Sequence, residues 1–262
     1  MDHGAGDAMS PVAVVTGGGS GIGAATAARL TADGFDVVVT GRRQERLDAV
    51  VSDLGGTARG VVMDVTDAAS VAAAAAEIGA CDVLVNNAGG ALGTDKVEGG
   101  DPAEWRDMFD SNVVGTLQVT QAFLPALRRS PRATVVVITS IAAELVYPGG
   151  AGYTAAKHAE RALAETLRLE LNGERVRVVE VCPGMVHTEG FSLVRFHGDQ
   201  SKADAVYDGV DRPLTAADVA ECVAFCVGLP QHVNIDRLVV KPVAQAAPHL
   251  LHRGPIDWGD DA

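Results

Sequence analysis

Short runs of apolar, β-branched residues alternate along the chain with longer segments in which apolar residues recur every three or four positions. Runs of the first kind are typical of strands buried on both faces, and the second spacing is typical of helices. The predicted strands are 12–16, 36–40, 59–63, 81–86, 133–139, 175–181 and 236–240. This alternation predicts an α/β fold: a single Rossmann-type, doubly wound sheet of about seven parallel strands with helices on both faces.

The same pattern predicts the domain organisation. No linker, repeat or low-complexity tract interrupts the alternation, so we expect one domain over residues 11–248. We expect a flexible N-terminal tail over 1–10 and an acidic, peripheral C-terminal tail over 249–262. The segment at about 184–213 is irregular and mixes Gly, His, Asp, Arg and Phe, so we interpret it as a substrate loop.

Composition narrows the expected partners and location. The formal net charge is -13 and no long run of Lys or Arg occurs, so neither nucleic acid nor an anionic membrane is an expected partner. The N-terminus lacks the basic and apolar regions of a signal peptide, and no stretch approaches the ~18 apolar residues of a spanning helix. The cysteines lack zinc-site spacing, which favours reduced thiols in a cytoplasmic protein and no bound metal.

A glycine-rich turn separates the first predicted strand from the first predicted helix. In TGGGSGIG, Gly17, Gly21 and Gly23 differ from the G-x-G-x-x-G dinucleotide fingerprint, because position 22 is isoleucine. Glycines permit a tight turn and close backbone approach, and a helix N-terminus attracts a pyrophosphate. The place of the turn favours a nucleotide site, and a purely structural turn is the alternative.

Two arginines stand at the end of the second predicted strand, where an NAD site would have an acidic residue for a ribose hydroxyl. Arg42 and Arg43 occupy that place, while Asp36 comes too early, at the start of the strand. Guanidinium groups fork onto phosphate, so the pair favours NADP(H) over NAD(H). In the alternative interpretation, both arginines begin a solvated helix and pair with Glu45 or Asp48.

A tyrosine and a lysine share one face of a later predicted helix. Tyr153 and Lys157 are spaced i and i+4, and Ser140 follows the fifth predicted strand, at the sheet edge where ligands bind. A cation within ~4–6 Å favours the phenolate, so we expect Lys157 to lower the Tyr153 pKa toward the working pH. The Ser140 hydroxyl can orient a substrate oxygen beside Tyr153. An ordinary exposed pair is the alternative for Tyr153 and Lys157.

Six motifs in order give the chain a family resemblance. TGGGSGIG, NNAG, SNVVG, Ser140, YTAAK and PGMVHT resemble the short-chain dehydrogenase/reductase family over about residues 12–245. The resemblance implies an NADP-binding oxidoreductase that acts on CH–OH groups and forms a homotetramer. It makes Tyr153 the general acid/base and Lys157 a ligand of the nicotinamide ribose. It gives Asn112 a water-holding role in a proton relay, and an amide bonded to backbone is the alternative for that residue.

The resemblance also implies further cofactor contacts. They come from the glycine turn, from the ends of the third and fourth predicted strands, and from the PGMVHT motif. Besides the two arginines, Tyr153 and Lys157, these residues are Gly17, Gly19, Ser20, Gly21, Ile22, Gly23, Asp64, Val65, Asn86, Ala88, Gly89, Pro183, Gly184, Val186 and Thr188.

Loop phrases resemble one branch of this family. TGRRQERL, NNAGGALG, YPGGAGYTAAKH and EGFSLVRFHGD are similar to the NADP-dependent 3-hydroxy acid dehydrogenases, which act on serine and allo-threonine and reduce malonic semialdehyde. We interpret Arg195 as an anchor for a substrate carboxylate, with Ser140 and Tyr153 on the reacting oxygen. The alternative is an arginine paired with Asp199 or Glu189. His187 and His197 are interpreted as loop residues.

The sequence thus predicts an NADP(H)-dependent oxidoreductase that interconverts a hydroxyl and a carbonyl on a small 3-hydroxy acid. The nearer alternative is the same chemistry on a bulkier secondary-metabolite or xenobiotic carbonyl. The more distant alternative is a non-catalytic protein that senses NADP.

Overall fold

The central sheet contains seven strands within residues 10–259, the part of the chain that this computed structural model describes. Together with short strands outside this sheet, the strands in chain order are β1 (Val12–Thr16), β2 (Asp36–Gly41), β3 (Arg59–Val62), β4 (Val83–Asn86), β5 (Ala133–Ile138), β6 (Val176–Pro183), β7 (Val186–His187), β8 (Leu214–Thr215), β9 (Arg237–Val240), β10 (Gln245–Ala247) and β11 (Leu250–Leu251). The sheet order is β3-β2-β1-β4-β5-β6-β9, and every pair in it is parallel.

Helices cover both faces of this sheet. In chain order they are α1 (Gly21–Ala32), α2 (Gln44–Leu54), α3 (Ala68–Ile78), α4 (Pro102–Phe109), α5 (Gly115–Arg129), α6 (Ala151–Glu170), α7 (Phe191–Arg195), α8 (Gln200–Ala205) and α9 (Ala216–Gly228). A π-helical turn joins α4 to α5, and a short 3-10 turn follows β5. Core residues of α1 and α9 pack on one face of the sheet, and those of α3, α5 and α6 pack on the other.

The two-residue period of the strands explains the continuous apolar runs. On β1, Ala13 and Val15 belong to the core under α1 and α9, whereas Val14 belongs to the core under α3 and α5. All three side chains have no exposed surface. Because both faces of the strand are buried, apolar side chains are favoured on both of them. The predicted Rossmann-type sheet is therefore confirmed.

The sheet has a topological switch point between β1 and β4. The chain moves outward from β1 to β2 and β3 and returns to β4 on the other side of β1. Open α/β sheets bind ligands in the crevice at the carboxyl ends of such strands. β4 begins later than the predicted position 81, because the Asp82 carboxylate accepts the Val12 amide at 2.7 Å in place of a strand carbonyl.

Residues after 248 fold back onto the predicted substrate loop. β11 pairs with β10, and the Gly254 amide donates to the Gly209 carbonyl at 2.7 Å. The Trp258 indole donates to the Asp211 carboxylate at 2.8 Å. The domain boundary at 248 stays a prediction, and the predicted N-terminal tail lies, except for Ser10, outside the described residues.

Among the cysteine, aspartate, glutamate and histidine side chains of the described region, no group of three or more is arranged to hold a metal ion. Burial raises the pKa of the Cys182 thiol to about 12 and that of Cys226 to about 11, so both remain protonated at neutral pH. No helix within residues 10–259 is both long and apolar enough to cross a membrane.

Candidate active site

Ser140, Tyr153 and Lys157 meet at the carboxyl end of β5. Ser140 caps the 3-10 turn that follows the strand, and its Oγ accepts the Ala142 amide at 3.1 Å. Tyr153 and Lys157 lie in the first two turns of α6. Lys157 Nζ lies 5.9 Å from the centroid of the Tyr153 ring and donates to the Ile138 carbonyl at 3.1 Å. The structure thus brings together the three residues that were predicted to do the chemistry.

Burial controls the ionisation of Tyr153. This side chain is only 8% exposed and Lys157 only 5%, so the pair is not an ordinary surface pair. Burial raises the pKa of the Tyr153 phenol, and the Lys157 charge and the Ser140 hydroxyl offset that rise only in part. As expected, the Lys157 charge lowers the Tyr153 pKa, but desolvation of the phenolate costs more than the cation returns, so the pKa lies above its ordinary value.

A buried glutamate that the sequence analysis missed accompanies Lys157. Glu160 lies one turn further along α6 with no exposed surface, and its Oε2 is 2.6 Å from Lys157 Nζ. Its Oε1 accepts the Thr116 hydroxyl of α5 at 3.2 Å. Burial lowers the pKa of Lys157, but the charge and hydrogen bond of Glu160, together with Tyr153 and Cys182, outweigh this effect and leave that pKa above its ordinary value. Lys157 is therefore an ammonium at neutral pH.

Asn112 lies in the π-helical turn between α4 and α5 and has no exposed surface. Its Nδ2 donates to the carbonyls of Met108 at 2.6 Å and Gly90 at 3.0 Å, and its Oδ1 accepts the Gly90 amide at 3.2 Å. The amide thus fastens the loop after β4 to the helix through backbone bonds. π turns are frequent at functional sites, and the water-holding role of Asn112 stays a prediction.

The glycine turn after β1 has no room for side chains. Gly17 and Gly21 have φ of +63° and +53°, a region that other residues rarely adopt. A Cβ on Gly23 would lie 2.4 Å from the Gly17 carbonyl oxygen. Asn87, which the sequence analysis did not single out, donates from Nδ2 to the Thr16 carbonyl at 2.9 Å and fastens the turn. The backbone is therefore open to close approach by a ligand.

An open cleft lies between this turn and the loop after β7. It is lined by Gly19, Ser20, Gly21, Arg46, His187, Thr188, Glu189 and Ala216. α1 begins at Gly21, so the cleft meets a helix N-terminus, which favours a phosphate group. Arg46 is a further cation that the sequence analysis missed. Ile22, also predicted as a contact, packs partly against the core below.

Arg42 and Arg43 follow the carboxyl end of β2 and are exposed. Within residues 10–259, neither guanidinium forms an ion pair with a carboxylate. The alternative pairing with Glu45 or Asp48 is therefore absent from the described structure. Both cations remain available to a ligand beside the crevice.

Asp64 and Val65 follow β3 at the same edge of the sheet. Burial raises the pKa of Asp64, but hydrogen bonds from Thr66 and the charge of Arg42 outweigh it and leave the pKa below its ordinary value. Val65 packs partly into the core, and a Cβ on Gly115 would lie 2.8 Å from its Cγ2. Both residues thus border the crevice beside the arginines.

The end of β4 and its loop carry the predicted ribose contacts. Asn86 is 2% exposed, and its Nδ2 donates to Thr120 Oγ1 at 3.0 Å, so its side chain points toward α5. Ala88 and Gly89 follow in the loop. A Cβ on Gly89 would lie 2.4 Å from Asn112 Oδ1, so close packing requires glycine there.

The PGMVHT turn closes the opposite side of the crevice. The Pro183 carbonyl accepts the Ser140 hydroxyl at 3.4 Å, which links this turn to the catalytic group. A Cβ on Gly184 would lie 2.2 Å from Oε1 of Gln245, a side chain that the sequence analysis missed and that is 6% exposed. Val186 then begins β7.

The helix α7 lies over Tyr153. The Phe191 ring packs edge-on against the Tyr153 ring at a centroid distance of 5.8 Å. Arg195 Cζ lies 6.0 Å from the same Tyr153 ring and 5.7 Å from the ring of Tyr147. The α7 part of the segment 184–213 therefore lies beside Tyr153, and the role of the segment as a substrate loop stays a prediction.

Arg195 is held by neutral oxygens. Its guanidinium donates to the Gly93 carbonyl, the Tyr147 hydroxyl and the Gly149 carbonyl, each at 3.2 Å. Asp199 pairs with Lys202 instead, at 3.3 Å, and among the described residues no carboxylate pairs with Arg195. The alternative pairing with Asp199 or Glu189 is therefore absent there, and the Arg195 charge is uncompensated beside Tyr153.

The two histidines of this segment contact different parts of the molecule. The His187 ring lies 4.4 Å from the ring of Tyr207 in the same segment, and His197 Nε2 lies 3.2 Å from Glu104 Oε1 on α4. The interpretation of both histidines as loop residues stays a prediction. Tyr207 in turn donates to the Val186 carbonyl at 3.1 Å, so it fastens the loop.

This fold and site agree with what comparison with known proteins finds. The chain belongs to the short chain dehydrogenase family, whose model matches residues 11–195. It is therefore an oxidoreductase, and the resemblance noted from its motifs is confirmed.

Individual relatives include an uncharacterized oxidoreductase and serine dehydrogenases. An uncharacterized oxidoreductase of Mycobacterium tuberculosis strain H37Rv is 56% identical over 236 residues, 90% of this chain and 92% of that protein. Serine 3-dehydrogenase of Agrobacterium fabrum is 41% identical over 242 residues, 91% of this chain and 96% of that protein. The solved closed form of a serine dehydrogenase complexed with NADP+ has a TM-score of 0.86 at 37% identity, covering 92% of this chain and 99% of that one.

Proposed function

We propose that the protein is an NADP(H)-dependent oxidoreductase that interconverts a hydroxyl and a carbonyl on a small 3-hydroxy acid. One observation carries the proposal. A buried Ser140–Tyr153–Lys157 group lies under a loop whose Arg195 has no carboxylate partner among the described residues. The similarity to serine dehydrogenases, whose substrate is itself a 3-hydroxy acid, supports it.

The crevice fits a dinucleotide with a 2′-phosphate. The bare glycine turn and the N-terminus of α1 would hold the pyrophosphate, and Arg42 and Arg43 would hold the 2′-phosphate. Lys157 would bind the nicotinamide ribose. When bound, the cofactor supplies or accepts the hydride. The NADP+ complex of the similar serine dehydrogenase supports this assignment.

Tyr153 moves the proton that accompanies the hydride. In reduction its phenol donates the proton to the substrate oxygen, and in oxidation its phenolate accepts it. The Ser140 hydroxyl holds that oxygen beside the phenol. Because burial raises the Tyr153 pKa, the phenol is the main form at neutral pH without ligand, which suits reduction.

Arg195 would bind the acid group of the substrate. Its charge lies beside the Tyr153 ring, and its present partners are two carbonyls and a hydroxyl, which a carboxylate can displace. A 3-hydroxy acid separates its carboxylate from the reacting carbon by one carbon atom. This spacing suits a cation close to the proton-transfer group.

A substrate panel tests the proposal directly. 3-hydroxy acids and neutral alcohols are each assayed with NADP and with NAD, and bulky ketones are assayed with NADPH and with NADH. We expect the highest kcat/KM for a 3-hydroxy acid with NADP. If kcat/KM is instead highest for a bulky neutral ketone, the alternative substrate class is correct and the proposed one is wrong. Turnover unchanged in Tyr153→Phe would contradict the proposed proton transfer.

The anchor role of Arg195 has its own test. Arg195→Ala should raise KM for a 3-hydroxy acid about 10-fold or more and leave KM for a neutral alcohol nearly unchanged, since a charge-assisted bond contributes about 1.5–3 kcal/mol. Lys202→Met, which removes an exposed cation of the same segment, is the control. An equal rise for both substrates would assign Arg195 to holding the loop.

The expected assembly rests on the family resemblance, and the expected location rests on the cysteines and the N-terminal sequence. The homotetramer and the cytoplasmic location stay predictions. The mass of the purified protein, measured by light scattering at its working concentration, decides the first. Fractionation of the producing cells decides the second.

A further inference from the structure

The buried carboxylate of Glu160 needs an explanation, because burying an unneeded charge is costly. Glu160 is three residues after Lys157 on α6 and has no exposed surface. A charged side chain at this depth persists only with a partner, and it has two. Lys157 Nζ lies 2.6 Å from Oε2, and the Thr116 hydroxyl lies 3.2 Å from Oε1.

The contacts of Lys157 show what Glu160 does to it. An ammonium has three donors, and here one reaches Glu160 and another reaches the Ile138 carbonyl at 3.1 Å. Two fixed bonds leave one donor for the active site. Glu160 therefore determines both the position of the ammonium and the direction of its remaining donor.

We propose that Glu160 is a positioning residue that holds Lys157 in place and sets the pH range in which the Tyr153–Lys157 pair works. This inference rests on the proposed function. The charge of Glu160 acts on both members of the Tyr153–Lys157 pair. Beside Lys157 the carboxylate favours the ammonium, and beside Tyr153 it disfavours the phenolate.

Other ionisable groups face this cluster and remain constant in the test. Tyr147 acts on Tyr153, Cys182 on β6 acts on Lys157, and Glu180 on β6 acts on Glu160. Arg237 on β9 neutralises Glu180 at 2.8 Å. None of these changes when Glu160 becomes a neutral amide.

The test is the pH dependence of Glu160→Gln. Glutamine keeps the shape and removes the charge. Its Oε1 can still accept from Lys157, and its Nε2 would donate to the Thr116 hydroxyl, which reverses the direction of that bond. Loss of a nearby anion lowers the pKa of the phenol and also that of the ammonium. Both limbs of the pH profile of alcohol oxidation, the rise with Tyr153 ionisation and the fall with Lys157 deprotonation, should therefore move to lower pH, by about one unit.

A second measurement needs no turnover. Titration of ionised phenol by its ultraviolet absorbance, taken as the difference from the matching Tyr153→Phe protein, should give a lower Tyr153 pKa in Glu160→Gln. Glu170→Gln makes the same charge change at an exposed position on the same helix and is the control. It should leave both measurements unchanged.

The outcomes separate this inference from the proposed function. If the native protein oxidises no alcohol of the panel, the proposed function fails, and the phenol titration alone decides the role of Glu160. If the native protein turns over and Glu160→Gln only loses activity or stability with both limbs unmoved, the inference is overturned. If that variant does not fold, Glu160→Asp decides. The same acid shift at smaller size supports the proposal, and unmoved limbs overturn it.

Discussion

Two sites of this protein that carry cations differ in their solvent exposure and in their ion pairing. Arg42 and Arg43 are exposed and have no carboxylate partner among the described residues, whereas Lys157 is 5% exposed and lies 2.6 Å from Glu160. A cation in water needs no counter-charge, so the two arginines stay charged without a carboxylate partner and are accessible to a ligand phosphate. A buried cation needs one, because desolvation would otherwise remove its proton. Arg42 and Arg43, the cations that we propose bind the cofactor phosphate, therefore have no carboxylate partner among the described residues. Lys157, the cation beside Tyr153, is paired with Glu160.

The largest effect is expected when the buried pair is broken. Lys157→Met leaves the Glu160 carboxylate without its cation, so the free energy of unfolding should fall by about 3–5 kcal/mol. Activity should fall at least 10²-fold, because the Tyr153 phenolate loses its stabilising charge. Urea unfolding and steady-state kinetics measure these changes. The double variant Lys157→Met/Glu160→Leu should recover much of the stability and none of the activity, and a double variant no more stable than the single one would contradict the pairing argument.

A change in the glycine turn tests whether the cofactor side depends on shape rather than on charge. Gly23→Ala places a Cβ 2.4 Å from the Gly17 carbonyl oxygen, so the unfolding free energy should fall by about 1–3 kcal/mol and NADPH affinity should fall with it. Thermal unfolding and fluorescence titration with NADPH measure both. Gly228→Ala, where a Cβ would contact nothing within 4 Å, is the control. Equal NADPH affinity in both variants would remove the turn from the cofactor site.

Removal of the exposed arginines should affect binding alone. The double variant Arg42→Ala/Arg43→Ala should raise KM for NADPH about 10–100-fold, because charge-assisted bonds contribute about 1.5–3 kcal/mol, and should leave KM for NADH nearly unchanged. The unfolding free energy should change by no more than about 0.5 kcal/mol, as is usual at exposed positions. A parallel rise in both KM values would mean that the arginines do not contact the 2′-phosphate.

Salt should give the smallest effect and separate the two cation sites. An increase in ionic strength from ~0.1 M to ~1 M shortens the Debye length from about 10 Å to 3 Å and screens exposed charges. KM for NADPH should therefore rise several-fold relative to KM for NADH. The pH limbs set by the buried pair should stay in place. Limbs that move with salt as strongly as KM would show that water reaches Lys157.

Several residues show how much of this site can be predicted from the sequence. Tyr153, Lys157 and Ser140 were predictable because helical spacing and strand ends place side chains on known faces and edges. Glu160 has the same helical spacing from Lys157, but a glutamate on an alanine-rich helix is usually solvated. A charged residue in line with Tyr153 and Lys157 on one helix face was the available signal. Only packing against α5 shows that it is buried.

The remaining omissions share a physical cause. Asn87 and Gln245 fasten turns by contacts over 71 and 60 positions of sequence, respectively. Arg46 reaches the cleft because α2 directs it there, although it belongs to the same basic stretch as the predicted pair. Such contacts leave no local periodicity. The net direction of the Tyr153 pKa shift was not predictable for a related reason, since the sequence indicates a neighbouring cation, which lowers the pKa, but not the depth of burial, which raises it.

The sequence by itself determined the fold, and it predicted the place of a nucleotide crevice and the identity of the reactive side chains, because local period, glycine spacing and strand ends decide these. The tertiary structure decided which charges are paired. It put Glu160 on Lys157, left Arg195 with neutral partners among the described residues, and raised the Tyr153 pKa by burial. Charge energies depend on distance and solvent exposure across elements far apart in the chain, and these quantities exist only after the chain has folded.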